Sequence, residues 1–143
     1  MSLKEIMHKP TFVSKDMAIN EVAKIMANKS IGSVLVGSAE NVIGIFSERD
    51  LLVKIVAKEI NCKNAKVGDY MTSPVKTIDV NMSIFDAQNA MIEHHVRRVP
   101  ITQDGKVVGL VSARNVMENL KYEYLKKNYD PSSYERSGYS AFW

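Results

Sequence analysis

Apolar residues fall at helical spacing from Ile19 through Val22 and Ala23 to Met26, which predicts an amphipathic helix begun by Asp16 as N-cap and closed at residues 28–30. Ahead of it, Thr11, Phe12 and Val13 read as a short extended piece. After it come two compact apolar runs, 33–36 and 42–46, separated by the polar stretch 37–41, the pattern of a β-hairpin. Ser47 ends the second run, and Leu51, Leu52, Ile55 and Val56 follow at helical spacing. The chain therefore passes from strand to helix at Ser47, with Asp50 three residues on as in a capping box. A helix start beside a strand end also aims backbone N–H groups outward, which suits an anion. This helix is predicted to run to residue 60.

The pattern then recurs. Residues 61–70 read as a connector, and Pro74 biases Ser73 away from helix. Residues 75–80 are expected to be extended, and Asn81 to cap a helix with Ile84, Ala87 and Met91 on one face. Residues 99–101 read as a strand that Pro100 confines to a sheet edge or a strand start. Gly105 permits a tight hairpin turn into the strand 107–111, and Val116, Met117 and Leu120 begin a last helix. A shift of 65 positions lays Gly44 on Gly109 without a gap, and Met17/Met82, Ile19/Ile84, Met26/Met91, Val42/Val107, Ser47/Ser112 and Arg49/Arg114 are then the same residue in both copies. Core positions, caps and turns stay in register, so the chain is read as an internal repeat of two β-α-β-β-α units. Each unit has too little core to stand alone. Packing the two through their sheets gives an α+β fold with pseudo-twofold symmetry and two related clefts.

Composition narrows the function classes. The net charge of +3 over 143 residues leaves no electrostatic footprint for nucleic acid. No apolar run reaches the length of a membrane span and no signal-peptide core is present, so a soluble, cytoplasmic protein is expected. Cys62 is the single cysteine, and His94 and His95 lack further ligands at metal spacing, so neither a disulfide nor a metal site is expected. No nucleophile or general base stands out beyond Glu48 and Asp50, so no catalytic residue is assigned. A capping pair alone accounts for Ser47 with Asp50 and for Ser112 with Asn115.

The signature Gly44-Ile45-Phe46-Ser47-Glu48-Arg49-Asp50, the lead-in Met71-Thr72-Ser73-Pro74-Val75 and the strand Val96-Arg97-Arg98-Val99-Pro100-Ile101 resemble the paired CBS (cystathionine β-synthase) domain, or Bateman module. The resemblance implies residues 1–60 as the first repeat with its lead-in, 61–70 as connector and 71–122 as the second repeat. Residues 123–143 form an aromatic-rich tail outside it, expected to pack on its own domain or across a dimer. It further implies a regulatory module for an adenosine-containing ligand (AMP, ADP, ATP or S-adenosylmethionine), with no cofactor required. Ser47, Arg49 and Asp50, with Thr11, Phe12, Val13, Ile31 and Gly32, would form the first site, Asp50 binding the ribose diol and Arg49 a phosphate. Ser112, Arg114 and Asn115, with Thr77, Ile78, Arg97 and Arg98, would form the second. Asn115 departs from the pattern, which has Asp there, so the Asp50 site is expected to be the better nucleoside site and the Asn115 site weaker, empty, fitted to another ligand or dominated by phosphate. A flat homodimer through the helices and a separate regulated protein are the expected partners. The rival readings are a ligand-free assembly module and, further off, a nucleotide-hydrolysing enzyme.

Overall fold

The two apolar runs of each half pair as hairpins. In a computed structural model, which describes residues 2–128, β2 (Ser33–Gly37) runs antiparallel to β3 (Val42–Ser47), and β5 (Arg98–Gln103) antiparallel to β6 (Lys106–Ser112). The short strands β1 (Phe12–Val13) and β4 (Ile78–Asp79) add in parallel, giving two three-stranded sheets of order β1-β2-β3 and β4-β5-β6. Parallel pairing needs a crossover, supplied by α2 (Ile19–Lys29) and α5 (Ile84–His94). Both crossovers end on a left-handed residue, Ser30 (φ 53°) and His95 (φ 54°), 65 positions apart. The repeated β-α-β-β-α units are completed by α6 (Ala113–Asn128) and by α3 (Glu48–Asp50), which widens into a π-helical segment, Leu51–Val56, where the Ala57 N–H reaches back to the Leu52 carbonyl. Residues 33–36 of β2 and 99–101 of β5 are buried in succession, so both faces of each central strand are covered. One face lies on the unit's own helices and the other against the opposite unit, the sheet-on-sheet packing expected of the pair.

Three local expectations need correction. Asp16 does not cap α2; its N-cap is Ala18, which has no side-chain bond, and Asp16 instead faces Lys66 at 3.8 Å. Nor does Asn81 cap α5, because it folds back onto the Asp79 carboxylate. The cap is Ser83, in a capping box with Asp86. The Ser83 backbone N–H, and after it the Ser83 hydroxyl, hold the Asp86 carboxyl below its ordinary value. The small stabilisation from this bond is therefore present above the usual carboxylate range and lost as pH falls through the lowered value. Ser83→Ala is expected to cost about 1 kcal/mol in a urea melt, and Asn81→Ala less than about 0.5 kcal/mol. The reverse order would reinstate Asn81 as the cap. Third, Pro100 sits in a central strand, not at an edge or a strand start. It is tolerated because its partner Leu110 turns its N–H and C=O away from β5, to His8 at 2.9 Å each, while β4 pairs only with residues beyond Pro100.

The lead-ins are exchanged between the halves. Leu3 and Ile6 of α1 (Leu3–Ile6) join Ile78, Ile84, Ala87, Met91, Val99, Ile101, Val111 and Val116 in the second core. Val67 of α4 (Val67–Tyr70), inside the 61–70 stretch, joins Val13, Ile19, Val22, Val34, Phe46 and Ile55 in the first. Each lead-in then crosses the far strand of the other sheet. His8 pairs with Leu110, and Thr72 with Ile45 through bonds of 3.0 and 2.8 Å. At these crossings a Cβ on Gly44 would run into the side chain of Met71, and one on Gly109 into that of Met7. The motif glycines are therefore sites of close packing between the halves. α6 continues past residue 122 to Asn128. Tyr122 at the end of the second repeat and Tyr124 of the tail are exposed, and Tyr129, Tyr134, Tyr139, Phe142 and Trp143 lie outside the described residues.

Candidate functional site

Both strand-to-helix junctions close in the same way. Ser47, with extended backbone (φ −118°, ψ 168°), accepts the Asp50 N–H on Oγ at 3.3 Å. The Ser47 N–H and hydroxyl both donate to Asp50 Oδ2, at 2.9 and 3.1 Å. In the second copy Asn115 Oδ1 takes the Ser112 N–H and hydroxyl at 3.1 and 2.6 Å, and Ser112 Oγ takes the Asn115 N–H at 3.2 Å. The first N–H of each helix is also spent, Glu48 on the Gly32 carbonyl at 3.0 Å and Ala113 on the Arg97 carbonyl at 2.7 Å. Little of either helix start remains for an anion.

The copies differ at the other atom of the motif side chain. Asp50 Oδ1 accepts from the Thr72 hydroxyl at 2.9 Å and lies 3.0 Å from Lys54 Nζ. Lys54 Nζ also donates to the Tyr70 carbonyl at 2.9 Å and to Thr72 Oγ1 at 3.1 Å. At the equivalent places in the second copy stand the amide nitrogen of Asn115, then Asn119 for Lys54 and His8 for Thr72. Asn119 donates to the Asn115 backbone carbonyl at 2.7 Å. Asp50 is buried and Asn115 half-buried. The first junction is thus an ionic knot and the second a neutral amide.

The other candidate residues spread out. Val13 and Ile78 point into the two cores, so only their backbones face outward, while Phe12 is half-buried and Thr77 exposed. The Thr11 carbonyl accepts the Leu35 N–H, and it is the lead-in at residues 70–72, not residues 11–13, that meets the Asp50 carboxylate. Ile31 packs on the first core. Arg97 and Arg98 diverge, as strand alternation requires. Arg97 is exposed, whereas Arg98 reaches across to the first repeat, over Gly32 and 3.8 Å from Glu48. Arg49 is exposed, and Arg114 is tied to Glu118 at 3.0 Å on the outside of α6. Lys54 and Thr72 were not read from the sequence as site residues. Lys54 carries one available signal, its i+4 spacing from Asp50; nothing in the sequence shows that Thr72 returns to this point.

Two apolar grooves, also related by the 65-residue shift, open on the helical side. One, of about 370 Å³, lies between α5 and α6 and is lined by Met91, Ile92, Val96, Met117 and Leu120 among others. The other, of about 350 Å³, is lined by Ala23, Met26, Ala27, Ile31 and Leu51 among others. Among the described residues no three His, Cys, Asp or Glu side chains are placed to hold a metal, and no helix is long and apolar enough to cross a membrane.

The CBS domain family model matches residues 3–57 and again 67–122. The chain belongs to the CBS domain family. Its pair of CBS repeats forms the tandem arrangement of a Bateman module. An uncharacterized protein of Methanopyrus kandleri is 35% identical over 71% of this chain, and the chain spans 53% of that protein's length. A solved protein with CBS domains from Burkholderia ambifaria superposes with a TM-score of 0.78 at 27% identity, covering 86% of this chain and 96% of the other. A CBS domain protein from Pyrobaculum aerophilum, solved in complex with AMP, superposes with a TM-score of 0.73. At 22% identity, with 85% of this chain and 99% of the other covered, that last likeness is one of fold.

Proposed function

We propose that this CBS pair is a regulatory binding module for an adenosine-containing ligand, with AMP, ADP, ATP and S-adenosylmethionine as the candidates. The ligand would sit in the clefts between the repeats and act on a partner protein or across a homodimer. The observation that carries the reading is the repeated junction, which holds a Ser hydroxyl beside a carboxylate in one copy and beside an amide in the other. Support at the level of the fold comes from the AMP complex of the Pyrobaculum aerophilum protein. A carboxylate can accept both hydroxyls of a ribose diol, whereas the Asn115 side chain has one acceptor oxygen, already bonded to Ser112. Asp50 is therefore the residue assigned to the ribose, and Asn115 marks the weaker cleft. Catalysis is no part of the proposal.

A second reading, assembly through the helices, rests on a separate observation. Ile92 and Met117 line one groove as exposed large apolar side chains, and Leu52, Val56 and Phe85 on the helical segments are exposed as well. They are proposed to face a second copy, so that the module is a homodimer and ligand binding can bias its geometry.

Calorimetric titration of the four ligands tests the main reading. Binding is expected to wild type, to be lost in Asp50→Ala, and to gain a second event in Asn115→Asp. If no ligand binds at millimolar concentration to wild type or to any variant, the nucleotide reading is wrong and the assembly reading takes its place, to be tested by light scattering of Ile92→Glu.

A further inference from the structure

The ionic knot at the first junction is closed on all sides. An ionised carboxylate offers about four acceptor positions, and an ammonium group three donors. Asp50 Oδ2 receives the Ser47 N–H and hydroxyl, Oδ1 receives the Thr72 hydroxyl, and Lys54 Nζ stands 3.0 Å from Oδ1 as its ion-pair partner. Lys54 Nζ donates to the Tyr70 carbonyl and to Thr72 Oγ1, which holds the ammonium group 3.0 Å from Asp50 Oδ1. A ribose diol needs acceptor positions on Asp50; hydrogen bonds fill three of them, and the Lys54 ammonium group lies against the oxygen that carries the remaining one. Oδ2 belongs to the capping box that starts α3, so the exchangeable side is Oδ1, held by the half-exposed Lys54 and by Thr72.

From this geometry, and resting on the nucleotide reading above, we infer that Lys54 is an internal competitor for the first cleft, a latch on Asp50 that a ligand must displace. Lys54 then sets the affinity of the site, although it belongs to no motif of the family signature quoted above. The second cleft has no counterpart, since Asn119 is too short to bridge as Lys54 does and bonds the backbone of Asn115 instead. A site that is open only part of the time binds with an apparent affinity reduced by its open fraction, so a tenfold change corresponds to an open fraction on the order of one tenth.

The test is titration with AMP of wild type, Lys54→Met and the double variant Lys54→Met/Asp50→Ala. Lys54→Met is expected to bind AMP about tenfold more tightly than wild type, and the double variant to lose the gain. Because Lys54→Met strips a partner from a buried carboxylate, Lys54→Gln is titrated beside it, both after thermal melting shows them folded. Gln keeps an uncharged NH2 donor group and is expected to fall between wild type and Met; should Met not fold, a gain in Gln alone carries the result. Binding by Lys54→Met but not by wild type also supports the latch. Equal or weaker binding by folded Lys54 variants, with wild type binding normally, overturns the latch and leaves the nucleotide reading standing. Silence from wild type and every Lys54 variant overturns both.

Discussion

Leu3→Ala is expected to destabilise the protein by about 3 kcal/mol, although Leu3 lies at the very start of the described chain in a helix of four residues. A terminal turn of helix is ordinarily a place where truncation is tolerated. Here Leu3 is fully buried, and its neighbours are Ile78, Val99, Val111 and Val116 of the second repeat, more than 70 positions away in sequence. Removing its side chain opens a cavity in a core that helix α5 and the sheet already fill, and close-packed cores relax only in part. Met82→Ala, at a residue 43% exposed and outside the proposed dimer face, serves as the control and is expected to change stability by less than about 0.5 kcal/mol. Urea melts of the two variants decide the matter. A loss below 1 kcal/mol for Leu3→Ala would mean that the lead-in is not a working part of the second core.

Asp50→Ala is expected to cost about 2–3 kcal/mol of stability in the absence of any ligand. Three hydrogen bonds and an ion pair converge on this carboxylate, and its loss removes the capping box of α3, the anchor of Thr72 and the counter-ion of Lys54. The figure stays below that for a fully buried ion pair because Lys54 is about a third exposed and can turn to water. Asn115→Ala removes only the cap bonds from Ser112 and is expected to cost about 1 kcal/mol. The contrast between copies is the informative quantity, since it measures what the knot adds beyond the cap. Equal losses in ligand-free urea melts would show that Lys54 and Thr72 add nothing to the cap.

The two variants mark the boundary of what the sequence conveys. The repeat, the hairpins and the strand-to-helix junctions at Ser47 and Ser112 were legible because each is written in neighbours: apolar periodicity, a turn glycine, a Ser followed three places on by an acid or amide. The misplaced caps are each errors of two residues. Asp16 and Asn81 are good cap residues, but helices α2 and α5 start later, where Ala18 and Ser83 are fixed by burial of Ile19 and Ile84. The Pro100 expectation failed for a different reason. A proline needs only that its own missing N–H face no partner, and the direction in which Leu110 bonds is decided by His8.

By itself, then, the sequence determined two β-α-β-β-α units, the pair of motif junctions and the difference of one side chain, Asp50 against Asn115. Only the tertiary structure decided which core each lead-in fills, which strand it crosses and what meets the motif carboxylate. Leu3 and Val67 carry the same apolar signal whether they pack on their own repeat or on the other, and Thr72 carries no mark that it will return to Asp50. Those choices come from burying both sheets at once, a condition on the whole chain that no local window contains.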